Sequence, residues 1–218
     1  MTPHSIHPTA VAAPRTLDGR LARWLVMPLR DTRVTPNHLT TLRLAIGLAG
    51  AAALARGSHG WANVGAVLIV LSNFVDHTDG ELARISGKTS RFGHFYDLAS
   101  DALITVLLFT CMGVGVRRLS SDGSPLPVVL GLVAGVAIAV IFFARMRIED
   151  IGGKAGTAQG FVAGFETEDV LYLLPLVTLT DVTATFLVVA SIGASLFAAW
   201  VLFDWWRVTR GARRGVRR

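Results

Sequence analysis

Hydrophobic positions in this chain come in long runs rather than at the three-and-four spacing of a helix with one wet face. The runs cover residues 39–55, 61–75, 98–116, 126–144 and 170–206, the last broken near Thr180 and Asp181. A helix needs about 20 apolar residues to cross a bilayer, so most runs suffice for one crossing and the last for two. The pattern predicts an all-α, polytopic membrane bundle of six transmembrane helices. Thr35-Pro36-Asn37 opens the first, with proline in the first turn and Thr or Asn as the cap. Residues 85–92, with Gly87, Lys88, Ser90 and Arg91, form a short basic loop between the second and third helices, and 120–125 form the next turn. The fifth helix is short and contains Pro175, so its limits are weakly marked.

Ahead of the bundle, residues 1–16 are rich in Pro, Thr, His and Ala without periodicity and are expected to be disordered. Residues 17–34 form a juxtamembrane segment in which Leu21, Trp24, Leu25, Met27 and Leu29 alternate with Arg20, Arg23 and Arg30. That pattern predicts an amphipathic helix on the membrane surface with its arginines toward anionic headgroups. A cytoplasmic helix packed on the bundle is the plainer alternative. The apolar run starts far from Met1 and no cleavage site follows it, so no removable signal is expected. A membrane domain at 35–207 and a basic tail at 208–218 complete the division.

Composition agrees with the pattern. Of 218 residues, 52% are hydrophobic and 17% charged, and the mean hydropathy is +0.52, which excludes an ordinary soluble globule. The distribution of basic residues matters more than the net charge of +6. Six crossings put Arg15, Arg20, Arg23, Arg30, Arg33, Arg43, Arg84, Lys88, Arg91, Arg145, Arg147, Lys154 and the arginines from Arg207 onward on one side. Arg56, Arg117 and Arg118 fall on the other. Both termini are therefore expected in the cytoplasm, with the protein multi-pass in the plasma (inner) membrane. The single cysteine, Cys111, lies in an apolar run, where it forms no intrachain disulfide and serves packing.

Against this background four acids stand out. Asp76-x-x-Asp79-Gly80-x-x-Ala83-Arg84 is followed, after eight residues, by Gly93-x-x-x-Asp97-x-x-x-Asp101. One charged acid at a bilayer centre costs at least about 2.5 kcal/mol, so a cluster of them calls for a compensating cation. On helices Asp76 and Asp79 share a face, as do Asp97 and Asp101, and antiparallel neighbours can turn the two faces together. The resulting four-carboxylate cup offers hard oxygen donors suited to Mg²⁺ or Mn²⁺ rather than Zn²⁺. His77 and His94 are close in sequence but not spaced to join it. A mid-helix glycine costs about 1 kcal/mol relative to alanine, so Gly80, with Ala83, suggests a shallow groove beside the acids. Arg84 at the membrane edge can bind phosphate oxygens. Together these describe a site for a flat group on a pyrophosphate, although small residues also serve helix packing alone.

The run matches every fixed position and both gaps of the signature of CDP-alcohol phosphotransferases, a family that this chain resembles. The resemblance implies transfer of a substituted phosphate from a CDP-linked donor, such as CDP-diacylglycerol, to an acceptor alcohol, with release of CMP, in phospholipid biosynthesis. It makes 35–207 the catalytic domain. By the same resemblance Asp76, Asp79 and Asp97 hold the metal ions, two in all, that bind the donor pyrophosphate. Asp101 contacts the second metal and acts as general base. Gly80, Ala83, Arg84 and Ser90 correspond to donor-contacting positions, with Asn37 and Thr40 approaching from the first helix. Arg145 and Arg147 suit a phosphorylated acceptor, or are only positive-inside anchors. The acids that follow, Glu149, Asp150, Glu166, Glu168 and Asp169, suit a polyol or amino alcohol, or are solvated loop charge. A homodimer is expected from the family, and no nucleic-acid partner. Two other classes compete: a divalent-cation transporter using the aspartates, and a non-catalytic membrane scaffold. The near-one-face position of the acids and the intact signature weigh against each in turn.

Overall fold

A computed structural model describes residues 17–152 and 169–215. The segment expected to be disordered, 1–16, and the Gly-rich stretch with Lys154, Glu166 and Glu168 lie outside the described residues. Every regular element among the described residues is helical: α1 (Leu17–Val26), α2 (Pro36–Leu54), α3 (His59–Ser86), α4 (Arg91–Leu119), α5 (Leu126–Gly152), α6 (Leu174–Leu179) and α7 (Thr183–Gly215). Short 3₁₀ turns at Met27–Leu29 and Asp169–Leu173 follow α1 and precede α6.

Local chemistry sets the boundaries. Thr35, not Asn37, is the cap of α2, and its N–H donates to His38 Nδ1 at 3.1 Å while Pro36 takes the first turn. Ser58 and Ser90 cap α3 and α4, their hydroxyls accepting from the N–H groups of Trp61 and Gly93. Gly87 ends α3 at φ 67°, a left-handed conformation that glycine adopts without strain. Both helices thus extend into the predicted loop, which shrinks to residues 87–90. The break expected near Thr180 and Asp181 falls between α6 and α7, with Asp181 at φ 57°.

Helices α4, α5 and α7 contain stretches, Arg91–Leu119, Leu126–Ile148 and Thr183–Arg210, that are long and apolar enough to cross a membrane. α2 and α3 carry buried polar residues, Thr40 and Arg43 on one and Asp79 and Glu81 on the other. α6 is only six residues long. Leu196, Val189 and Phe203 of α7 point outward, an apolar surface suited to lipid.

α2 packs on α3 and α4, α4 on α5, and α5 on α7, while α1 and α6 lie against α3. Small residues allow the close crossings. A Cβ at Gly65 would lie 2.8 Å from the carbonyl oxygen of Gly50, so α2 and α3 approach backbone to backbone. At the α4–α5 crossing, Gly113 lies against the carbonyl of Pro127 and Gly131 against that of Phe109. Leu54, Ile69, Leu108 and Met112 form the main core with Leu174 and Leu187. A second cluster joins Ile141, Ala144 and Ile148 of α5 to Ala198 and Val201 of α7. These contacts hold α2, α3 and α4 together around their polar side chains.

Candidate active site

Asp76 and Asp79 lie on α3, and Asp97 and Asp101 on α4, in the halves of the two helices that adjoin the 87–90 loop. Carboxylate oxygens of Asp76, Asp97 and Asp101 converge within 4.8 Å of one another. Asp79 stands slightly apart, its Oδ2 accepting a hydrogen bond from the Thr40 hydroxyl at 2.8 Å. Helix spacing explains this: the third and fourth residues along each helix return to the same face, and the antiparallel hairpin turns the faces inward.

The centre of the cup holds a residue that the sequence pattern marks only as one of the basic residues expected on the cytoplasmic side. Arg43, one turn after Thr40 on α2, has a side chain only 3% exposed. Its Nη1 donates to Asp76 and, at 2.5 Å, to Asp101 Oδ1; Nη2 donates to the side chain of Asp97 at 2.9 Å and to its main-chain oxygen at 3.0 Å. Nε lies 3.8 Å from Asp79 Oδ2. Ser72 fixes the backbone by donating to the Arg43 carbonyl at 2.8 Å. A guanidinium among four acids is better placed than one in lipid. The signal was present in the sequence as one charge inside an apolar run, the pattern that marks a functional partner in a membrane.

A Cβ at Gly80 would meet nothing within 4 Å among the described residues. Ala83 is half-buried on the same helix. Arg84 is exposed and ion-paired with Glu81. Glu81, also missed in the sequence, is buried, and its Oε2 lies 3.4 Å from Arg23 Nε of α1. Arg23 therefore turns into the bundle rather than toward headgroups, because a buried carboxylate attracts it more strongly than surface charge does. Its neighbours Leu21, Trp24 and Leu25 remain exposed.

At the mouth, Asn37 and Ser90 flank Gly93: a Cβ there would lie 2.7 Å from Asn37 Oδ1 and 3.0 Å from Ser90 Oγ. Lys88 holds this edge together. Its ammonium donates to the carbonyls of Arg30, Thr32 and Val34 at 3.2, 2.6 and 3.1 Å, tying the loop to the α1–α2 linker. Lys88→Met should cost about 1.5–3 kcal/mol, the range for hydrogen bonds made by a charged group. The thermal midpoint should fall and protease sensitivity at residues 87–90 should rise; an unchanged midpoint would show that the latch contributes nothing. Arg147 on α5 stacks over the Phe143 ring at 5.2 Å, and Arg145 is half-buried on the same helix. His77 Nδ1 pairs with the Asn73 carbonyl at 2.9 Å, and among the described residues the converging ligand atoms are those of Asp76, Asp97 and Asp101.

A membrane-type helical bundle with paired acidic helices thus surrounds one polar centre. The CDP-alcohol phosphatidyltransferase family model matches residues 33–206, and the chain belongs to that family. It is 29% identical over 150 residues to a cardiolipin synthase (CMP-forming) of Streptomyces coelicolor, covering 68% of this chain and 64% of that protein. It is 32% identical over 99 residues to a bifunctional IPC transferase and DIPP synthase of Rubrobacter xylanophilus, covering 44% of this chain and 22% of that one. The matches thus span less than two thirds of either relative. Two crystal structures of Mycobacterium tuberculosis phosphatidylinositol phosphate synthase share the fold at 20% identity. The one with CDP-DAG bound has a TM-score of 0.64 over 87% of this chain and 94% of that one. The other, in complex with manganese and citrate, has a TM-score of 0.63 over 87% and 89%.

Proposed function

We propose that this protein transfers a substituted phosphate from a CDP-linked lipid, such as CDP-diacylglycerol, to the hydroxyl of an acceptor alcohol and releases CMP. The observation that carries the reading is the convergence of Asp76, Asp97 and Asp101 within 4.8 Å in a chain of this family. Their oxygen-only donor set fits a hard divalent cation, Mg²⁺ or Mn²⁺. Asp76, Asp79 and Asp97 would hold it, with Asp101 contacting a second ion. When bound, such ions supply charge neutralisation to the donor pyrophosphate. The 20%-identical structural relative bears CDP-DAG in one crystal and manganese in another, which supports the same ligand classes here.

In the proposed reaction the acceptor oxygen bonds to the phosphorus that carries the lipid alcohol. The bridge from that phosphorus to CMP breaks, CMP leaves with the bridging oxygen, and Asp101 takes the hydroxyl proton. Gly80 and Ala83 line the path of the flat nucleotide, Arg84 leaves Glu81 for the phosphates, and Asn37, Thr40 and Ser90 border the mouth. Arg145 and Arg147 are the candidate acceptor contacts. Six crossings, with both termini and the site in the cytoplasm and α1 on the membrane surface, complete the reading, and a homodimer accompanies it.

The test is CMP release by purified protein from radiolabelled CDP-diacylglycerol with Mg²⁺ or Mn²⁺ and a panel of acceptors: inositol phosphate, glycerol phosphate, serine, choline and free polyols. One acceptor should give CMP and a matching lipid product. No acceptor-dependent CMP with any of them would overturn the reading. Gly80→Leu should raise the donor KM by about tenfold or more by filling the groove, while the fold is spared because that Cβ meets nothing within 4 Å among the described residues. An unchanged donor KM would remove the groove from the mechanism.

A further inference from the structure

We propose that Arg43 is a resident cation of the acid cup that a divalent ion must displace, so that this side chain sets the affinity for metal. The inference rests on reading the cup as a metal site. All three converging carboxylates have an oxygen engaged by the guanidinium: Asp76 and Asp101 by Nη1, and Asp97 by Nη2. A hard cation makes its demand on the same oxygens, and two positive charges at such range repel. Occupancy is therefore competitive.

Formal charge points the same way. Four aspartates carry −4 and Arg43 restores +1, leaving the cup at −3. Two divalent ions add +4, which neutralises the acids alone and makes the guanidinium surplus. Arg43 can yield without unfolding α2, because Ser72 holds its main-chain oxygen and the long side chain pivots beyond that point. Thr40, one turn earlier, keeps Asp79 oriented meanwhile.

The experiment is Mn²⁺ binding, followed by electron paramagnetic resonance of the free ion, to detergent-purified wild type, Arg43→Gln and Arg43→Lys. Arg43→Gln should bind Mn²⁺ at least about tenfold more tightly than wild type, since a close competing charge is gone. Its metal-free form should melt lower and gain more on adding Mn²⁺. Arg43→Lys, which keeps the charge, should stay near wild type. Equal or weaker binding by Arg43→Gln, with wild type still binding, overturns the role of Arg43 and leaves the metal reading standing. Failure of wild type and both variants to bind Mn²⁺ overturns both. If Arg43→Gln does not fold, a structure of Mn²⁺-loaded wild type decides. The guanidinium should be beyond hydrogen-bonding distance of Asp76 and Asp101, and its persistence on both would refute the exchange.

Discussion

Asp101→Asn should lower kcat for CMP release by about 10²- to 10⁴-fold, the range for loss of a positioned general base. The fold should survive. Asparagine is nearly isosteric and keeps an acceptor for Arg43 Nη1, which lies 2.5 Å from Asp101 Oδ1. Asp76→Asn provides the contrast, because it should weaken metal binding first and turnover as a consequence. Steady-state kinetics with saturating donor, alongside Mn²⁺ titration of each variant, separates the two. If purified Asp101→Asn releases CMP at the wild-type rate, Asp101 is not the base.

Gly131→Ala should damage the fold more than its single methyl suggests. The added carbon would overlap the main-chain carbonyl oxygen of Phe109, and backbone cannot move aside as a flexible side chain does. Overpacking of this kind costs about 1–3 kcal/mol, and leucine at the same site should exceed it. Gly193→Ala on α7 is the control: among the described residues nothing lies within 4 Å of its Cβ, so the helix should keep or gain up to about 1 kcal/mol. Thermal unfolding and monodisperse yield in detergent report both. A Gly131→Ala protein that melts with wild type would mean that α4 and α5 do not cross at this glycine.

Long apolar runs made the helical bundle and several of its boundaries legible, because residues 35–36 and 180–181 carry local signals that act wherever the helices end up. The approach of Asp76 to Asp97 and Asp101 was also legible, since helical spacing and a short antiparallel connection bring them together. Arg43 was not, because loop arithmetic treats every arginine as a topology signal and ignores what a neighbouring helix offers it. Glu81 escaped for a similar reason: within the signature it occupies an unspecified position, and its partner Arg23 lies on α1, far away in sequence. The limits of the fifth segment depended on residues around Pro175, where a 3₁₀ turn passes directly into a six-residue helix. Periodicity over so short a stretch carries little information.

Helix α2 precedes α3 and α4 in the chain, so Arg43 is synthesised before any of the four acids it contacts. When the acidic helices emerge, their counter-charge is already in place on an earlier helix, and they need not wait in the bilayer for an ion from solution. On the proposed metal reading, the four acids thus have a counter-charge within the bundle before any ion binds.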